Sequence, residues 1–467
     1  MRFRVPASLF FAGMIALTTV PLFEGSAEAC GGCFHEPQPN PENNTVVSDH
    51  RMIMAIDLQQ STLYDQIRYQ GSPSAFAWVL PIRGEAKVGV SSDAVFASLD
   101  ALTGVQVIPP PENCPPPNCR GSSGGGFGCS ATASSDGLAA GEASNAPPPV
   151  EVLKQQTVGP YETVQLRSTD PQALQTWLAK NSFVIPADVQ PIIGSYVTEG
   201  FDFLAVKLVP GKGIQAMVPI RVTTPGASPQ LPLRMVAAGT GAVVGITLWT
   251  IGDGRWEPKN FPSFTITEQE LVWDWGTSSS NFKALRAQNV TALGASAWEI
   301  ESSVPLTLTQ VQSNVSTSNM TGQIPYEAVK DGQGNVTATP SQAFSNDMAA
   351  LFGGRSLARV TRMRADLPKA ALATDLEIQA STTQATLPIR RVVTKEKGEP
   401  QCTLYDGCDV IGQGTRTQAN MSVGNSPASV GGGGCSTLRR KGGYYGGLAV
   451  FCAAGALFVA RRARRRR

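Results

Sequence analysis

The feature that most constrains this chain is that both of its ends are apolar and bordered by arginine. Near the N-terminus Arg2 and Arg4 precede an apolar run over residues 5–23, and Ala27-Glu28-Ala29 sets small residues before a cut at Cys30. This is the layout of a secretory signal peptide over residues 1–29, removed by signal peptidase between Ala29 and Cys30. At the other end, residues 443–460 carry no charge and run straight into RRARRRR. That length is at the short limit for a helix crossing a hydrocarbon core of about 30 Å. Tyr444 and Tyr445 favour one interface, and the arginine cluster holds the opposite end in the cytoplasm. The body between the two ends is therefore expected to fold outside the cytoplasm, with helix 443–460 in a membrane. Cys30, directly after the cut, also fits acylation, although Glu28 and the lack of leucine at position 27 depart from a lipobox.

Export sets the redox compartment. Of nine cysteines, Cys435 and Cys452 belong to the C-terminal segment, which leaves Cys30, Cys33, Cys114, Cys119, Cys129, Cys402 and Cys408. An exported chain pairs most of its cysteines. Seven is odd, so one is free, lipidated or shared with another chain. A local pair such as Cys402 with Cys408 fits the spacing, and the connectivity stays open.

With the two ends set aside, residues 30–434 hold 27 basic and 34 acidic residues. The near-neutral whole chain thus conceals an acidic body. Nucleic-acid binding leaves a basic footprint, which this body lacks, so no nucleic-acid partner is expected.

Composition divides the body further. Residues 109–149, including PPPENCPPPNC and GSSGGGFGC, are dominated by Pro, Gly, Ser and Ala and cannot bury a core of their own. Residues 411–434 read as a flexible spacer between an exported domain over 30–410 and the anchor over 435–467. Strands are expected at 51–58, 63–69, 76–82, 161–168, 201–208, 214–222, 231–237 and 242–251. Helices are expected at 93–102, 170–180, 188–197, 279–288 and 367–374. Asp170 supplies a side-chain cap to the second of these, and Pro171 takes the first helical position, where a missing N–H costs nothing. Strands outnumber helices and do not alternate with them steadily. The expected class is α+β, mainly antiparallel sheet with a few short helices and a long Pro/Gly-rich insertion.

Two resemblances follow from these residues. The order Gly-rich run, Gly434-Cys435-Ser436, apolar helix and arginine run resembles the myxobacterial C-terminal sorting tail (MYXO-CTERM). That resemblance implies a sorting protease that removes the tail at Cys435 and an attachment of the body to the envelope. Here Arg439, Arg440 and Lys441 lie between the cysteine and the helix, a looser spacing. The body carries CGGCF, IRYQGSPSAFAWVLPI, VGVSSDAVFASLDALT, VGPYETVQLRSTDPQALQTWLAKNSFVIP, FDFLAVKLVP, MVPIRVTTP and LARVTRMRADLPKAAL. In this ordered series it resembles bacterial domain-of-unknown-function family 2330. That family has no assigned activity, so the resemblance implies no site residues.

The remaining chemistry is sparse. The two histidines are His35 and His50, so a Ser-His-Asp triad has to use one of them, and a histidine-rich zinc site needs a second chain. Gly121-Ser122-Ser123-Gly124-Gly125 matches G-x-S-x-G by letter but has no strand before it or helix after it. Gly239-Thr240-Gly241 with Gly245 is followed by a strand pattern, whereas a phosphate loop opens a helix. Cys30-Gly31-Gly32-Cys33 with His35 is the densest constellation. Phe34 breaks the C-x-x-C-H of a haem site, and a redox pair needs a helix start to lower a thiol pKa. A structural disulfide accounts for the two cysteines most simply. Cys30, Cys33 and His35 stay the weak candidates for a redox or metal site. Asp65, Glu85, Asp93, Glu199, Asp202, Asp253 and Asp274 are expected in solvent or at helix caps. Tyr69, Phe76 and Trp78 are expected in a core. No catalytic residue and no cofactor is expected. The function these features imply is an exported, envelope-anchored protein with a non-catalytic structural or binding role at the cell surface. The alternative is an extracytoplasmic thiol-redox or metal-binding protein.

Overall fold

The computed structural model describes residues 33–34, 46–70, 77–117, 150–181, 183, 189–210, 212, 216–237, 242–320, 326–406 and 408–424. The signal-peptide segment 1–29, most of the Pro/Gly-rich insertion and the whole 435–467 anchor lie outside them, as do Cys30, His35 and Cys435. Among the described residues no helix is long and apolar enough to cross a membrane.

Thirteen strands build the two large sheets. In chain order they are β1 (Cys33–Phe34), β2 (Val46–Ile56), β3 (Gln60–Gln70), β4 (Ala77–Ile82), β5 (Lys87–Val90), β6 (Val150–Val158), β7 (Tyr161–Ser168), β8 (Asp202–Leu208), β9 (Ile220–Pro225), β10 (Val243–Gly252), β11 (Ser263–Phe264), β12 (Trp298–Thr307) and β13 (Leu357–Pro368). One sheet has the order β1-β4-β8-β7-β6, and the other β11-β12-β13-β10-β2-β3-β9-β5. The five-stranded sheet is antiparallel throughout. In the eight-stranded sheet β10 runs parallel to β2 and β11 parallel to β12. The remaining pairs are antiparallel. The α+β class with mostly antiparallel sheet is as expected.

Strand β2 shows why the sheet sits centrally. Successive side chains of a strand point to opposite faces, and here both faces are buried. Ile53 and Ala55 join one apolar cluster, while Met52, Met54 and Ile56 join another. The first cluster is covered by helices α1 (Asp93–Thr103), α6 (Leu308–Met320) and α7 (Pro340–Phe352), through Phe96, Leu99, Val311, Val315, Met348 and Phe352. On the far side, Ile220 and Val222 of β9 meet Trp78, Leu80, Leu204 and Val206 of the five-stranded sheet. The outer face of that sheet is closed by α2 (Pro171–Lys180) and α3 (Gln190–Thr198), through Leu174, Leu178, Ile193 and Tyr196. The result is a helix–sheet–sheet–helix stack in which each sheet buries both faces.

Local signals set several boundaries. Asp170 accepts from the Gln172 N–H at 2.9 Å and Pro171 opens α2, as the sequence implies. Helix α7 starts with a reciprocal capping box between Thr339 and Gln342 and stops at Gly353, whose φ of 55° suits glycine.

Other expectations are corrected. Residues 231–237 do not form a strand. Gln230–Leu231 pair briefly with Leu376–Ala380, and α4 (Leu233–Val236) follows. Pro232 has no N–H to continue a ladder, and the Arg234 N–H at the helix start is met by Asp375 Oδ1 at 3.0 Å. Strand β9 begins at Ile220, after Pro219, and not at 214. The helix expected at 279–288 is α5 (Phe282–Leu293), preceded by a two-residue strand. The helix expected at 367–374 is a 3-10 turn over Lys369–Ala373. The spacer expected from 411 is ordered as far as residue 424, as the strand Asp409–Thr415 paired with Gln401–Asp406 and then Arg416–Gly424, labelled α8. Cys402 pairs with Cys114 and not with Cys408: S–S is 1.99 Å and the Cα atoms are 5.5 Å apart across 288 residues of sequence. Cys408 is disulfide-bonded as well.

Candidate functional site

At one end of the stack a small cleft of about 50 Å³, open to solvent, lies between residues of the two sheets. Met54, Ser61, Thr62 and Leu63 of β2–β3 and Val222 and Thr224 of β9 supply one wall. Leu80, Pro81 and Ile82 of β4, with Arg83 and Phe201, supply the other. The loop after β9 closes the floor through Ser228, Gln230 and Pro232. Strand β4 ends where Gly84 takes φ 72°, a left-handed turn that glycine adopts without strain. Arg83 just before it is exposed and lies over the Phe201 ring, 3.9 Å from the centroid.

Beside the cleft stands a charged group built from two helices, α3 and α4 (Leu233–Val236), with Asp375 from a loop and Gln230 from a short strand. Arg234 of α4 grips Glu199 with two bonds of 2.6 and 2.7 Å and reaches Asp375 at 2.8 Å. Its guanidinium also lies 4.0 Å over the Tyr196 ring. Asp375, 5 % exposed, accepts in addition from Tyr196 Oη at 2.6 Å and Gln230 Nε2 at 3.2 Å. Hydrogen bonding to Arg234 holds the Glu199 carboxyl below its usual range. Burial, with Asp375 alongside, pushes the Tyr196 phenol well up.

Two more polar networks lie under the helical layer of the large sheet. Asp347 of α7, fully buried, accepts from Ser91 and Arg221, each at 2.5 Å, and from Tyr326 at 2.8 Å. Burial pushes its carboxyl up, and Arg221, Ser91 and Tyr326 draw it back toward the charged form. The second network is a chain of alternating charge: Arg51 to Asp100, Asp100 to Arg362, Arg362 to Glu301, Glu301 to Arg286 and Arg286 to Glu299. Trp249 is flanked in it by Arg51 and Arg362, whose guanidinium carbons lie 5.3 and 5.1 Å from its ring. Both networks join elements far apart in sequence, and each charge in them has a partner, as buried charges require.

The residues singled out from sequence are scattered. Cys33 lies in β1, opposite Trp78 of β4; Cys30 and His35 are outside the described residues. The G-x-S-x-G letters at 121–125 and the glycines at 239–241 also fall outside them. His50 is buried and its Nδ1 lies 3.2 Å from Asp65 Oδ1. Its Nε2 meets no hydrogen-bonding group among the described residues, so this pair is not extended to a serine as a triad requires. Asp65 and Asp202, expected in solvent, are 3 % and 5 % exposed; Asp202 takes a two-pronged contact from Arg167 at 2.9 and 2.8 Å. Among the described residues no three His, Cys, Asp or Glu converge as a metal site. The cleft itself, with Arg83 and Phe201, was not marked by the sequence reading. Its one local signal is WVLPIRG, an apolar strand that ends in Arg-Gly.

No curated protein matches the chain. A crystal structure of baculovirus P35 is similar over 46 % of this chain and 66 % of its own length, at 11 % identity and a TM-score of 0.24. So slight a likeness carries neither fold nor function across. The family described as "Uncharacterized protein conserved in bacteria (DUF2330)" matches residues 25–325. That match takes in β1 to β12 and both walls of the cleft, and the protein belongs to this bacterial family.

Proposed function

We propose that the protein is an exported, envelope-anchored protein with a non-catalytic binding or structural role on the outer side of a membrane. The observation that carries this reading is the Cys114–Cys402 disulfide. It staples the start of the Pro/Gly-rich insertion to the hairpin that leads toward the C-terminal segment. Disulfides of this kind persist in oxidising compartments. The signal-peptide layout and the sorting-tail resemblance of the sequence support the same placement. The body hangs outward, and the segment after α8 bridges it to the anchor.

Peptide mapping of the native protein by mass spectrometry, without reduction, tests this. The expected result is a chain that starts at Cys30, contains a linked Cys114–Cys402 peptide pair and stops at a modified Cys435. A full-length, reduced chain recovered from the cytoplasmic fraction would overturn it.

A further inference from the structure

We infer that one face of β2 holds a site for a monovalent copper ion, with the imidazole of His50 and the thioether of Met52 as its ligands. His50 is fully buried, and its Nδ1 lies 3.2 Å from Asp65 Oδ1. A carboxylate only accepts, so Nδ1 carries the hydrogen and Nε2 is left with the lone pair. That lone pair meets no donor among the described residues. The residue paired with His50 on β10 is Ile246, which is fully buried as well. An acceptor left unmet in such surroundings is unfavourable. Metal-binding histidines are built on this pattern: one ring nitrogen is hydrogen-bonded to a carboxylate, and the other is turned to the ion.

The residues that follow His50 select the ion. Side chains alternate along β2, so His50, Met52 and Met54 stand on one face, each about 7 Å from the next along the strand. Both methionines are buried. A thioether is a soft, neutral donor. Together with imidazole it suits Cu(I), whereas calcium and magnesium take oxygen ligands and zinc favours thiolate, imidazole and carboxylate. Nε2 has no proton to lose, and binding involves no electron transfer. The same row of residues gives a way in. Met54 lines the cleft that opens to solvent, so the thioethers of Met54 and Met52 form two steps from the surface to His50. A thioether also persists in an oxidising compartment, where a thiol is drawn into a disulfide. The inference goes beyond the envelope role proposed above and uses none of Cys30, Cys33 and His35. A chain that fails to bind copper would leave the envelope placement standing, and a cytoplasmic chain would leave this row of residues unchanged.

Anaerobic titration of the intact protein with Cu(I) tests the inference, with free thiols alkylated beforehand and bicinchoninate present as a competing chelator. One Cu(I) per chain is expected to stay with the protein, and added Zn(II) should not displace it. The imidazole nitrogen resonances of His50 should shift as the ion is taken up. Met52→Leu, a swap of similar volume that keeps the fold, should weaken retention about tenfold or more. Asp65→Asn should weaken it about 10–100-fold, the scale for a group that orients a metal ligand. Met54→Leu should slow loading. Absence of retained copper in the alkylated protein, retention that Met52→Leu leaves unchanged, or a His50 resonance that does not move overturns the proposal.

Discussion

Gly89 of β5 and Arg221 of β9 face each other across the sheet edge, and the guanidinium occupies the space a side chain at Gly89 would need. A Cβ on Gly89 would stand 2.7 Å from Arg221 Nη2. The bare backbone lets Arg221 lie flat on its way to the buried Asp347 carboxylate. Gly89→Ala should displace the guanidinium and cost about 1–3 kcal/mol, the usual scale of overpacking. Asp347→Ala should cost more, about 3–5 kcal/mol, because it leaves Arg221 without its partner. Chemical denaturation of both variants checks the order; a Gly89→Ala protein as stable as the parent would show that the close approach is not needed.

Removing the Cys114–Cys402 bridge releases a very long loop in the unfolded chain. Cys402→Ser is expected to lower stability by about 2–5 kcal/mol. The loss should appear when parent and variant are unfolded without reductant and largely vanish when both are unfolded in reductant, which opens the parent's bridge as well. Equal melting temperatures for parent and variant without reductant would contradict the bridge.

The Asp170 cap makes a smaller, local claim. Asp170→Ala frees the Gln172 N–H and should cost about 1 kcal/mol, whereas Asp170→Ser should restore most of it. A calorimetric comparison of the three proteins measures this directly.

Glu199 carries the pH dependence of the group beside the cleft. Its carboxyl is held below the ordinary range by Arg234. The folded protein therefore binds this proton less readily than the unfolded chain does. The resulting stabilisation is present above the unfolded value and fades as pH falls through the folded one. Carbon-detected NMR titration should find Glu199 among the lowest glutamates, and Arg234→Gln should move it up toward the ordinary range, with Arg83 nearby still drawing it down. A Glu199 that titrates the same in both proteins would refute the contact.

How much of this was legible beforehand depends on how far each cause reaches. The Asp170-Pro171 start of α2 and the 161–168 strand were readable because their determinants are within a few residues. The short helix at Leu233–Val236 was misread as strand because the group that receives its free N–H, Asp375, lies 141 residues later. Cys402 has a cysteine six positions away, and its actual partner is 288 residues distant. The carboxylates Asp65 and Asp202 look like surface residues in any window of sequence. They are buried because His50 and Arg167 reach them from other strands. Of the cleft, the strand that ends in Arg83 was visible. Phe201, on which Arg83 rests, comes from the far side of the insertion.

The position of β13 has one more consequence. The family match stops at residue 325, yet β13, formed by Leu357–Pro368, sits between β12 and β10 in the middle of the large sheet. Likeness and foldability therefore have different borders in this chain. A fragment trimmed to the matched residues would lose a central plank and present two raw strand edges flanked by Trp249 and Trp298, an open template for pairing with other chains. The smallest piece of this protein able to stand alone has to run past the family boundary, at least as far as Pro368.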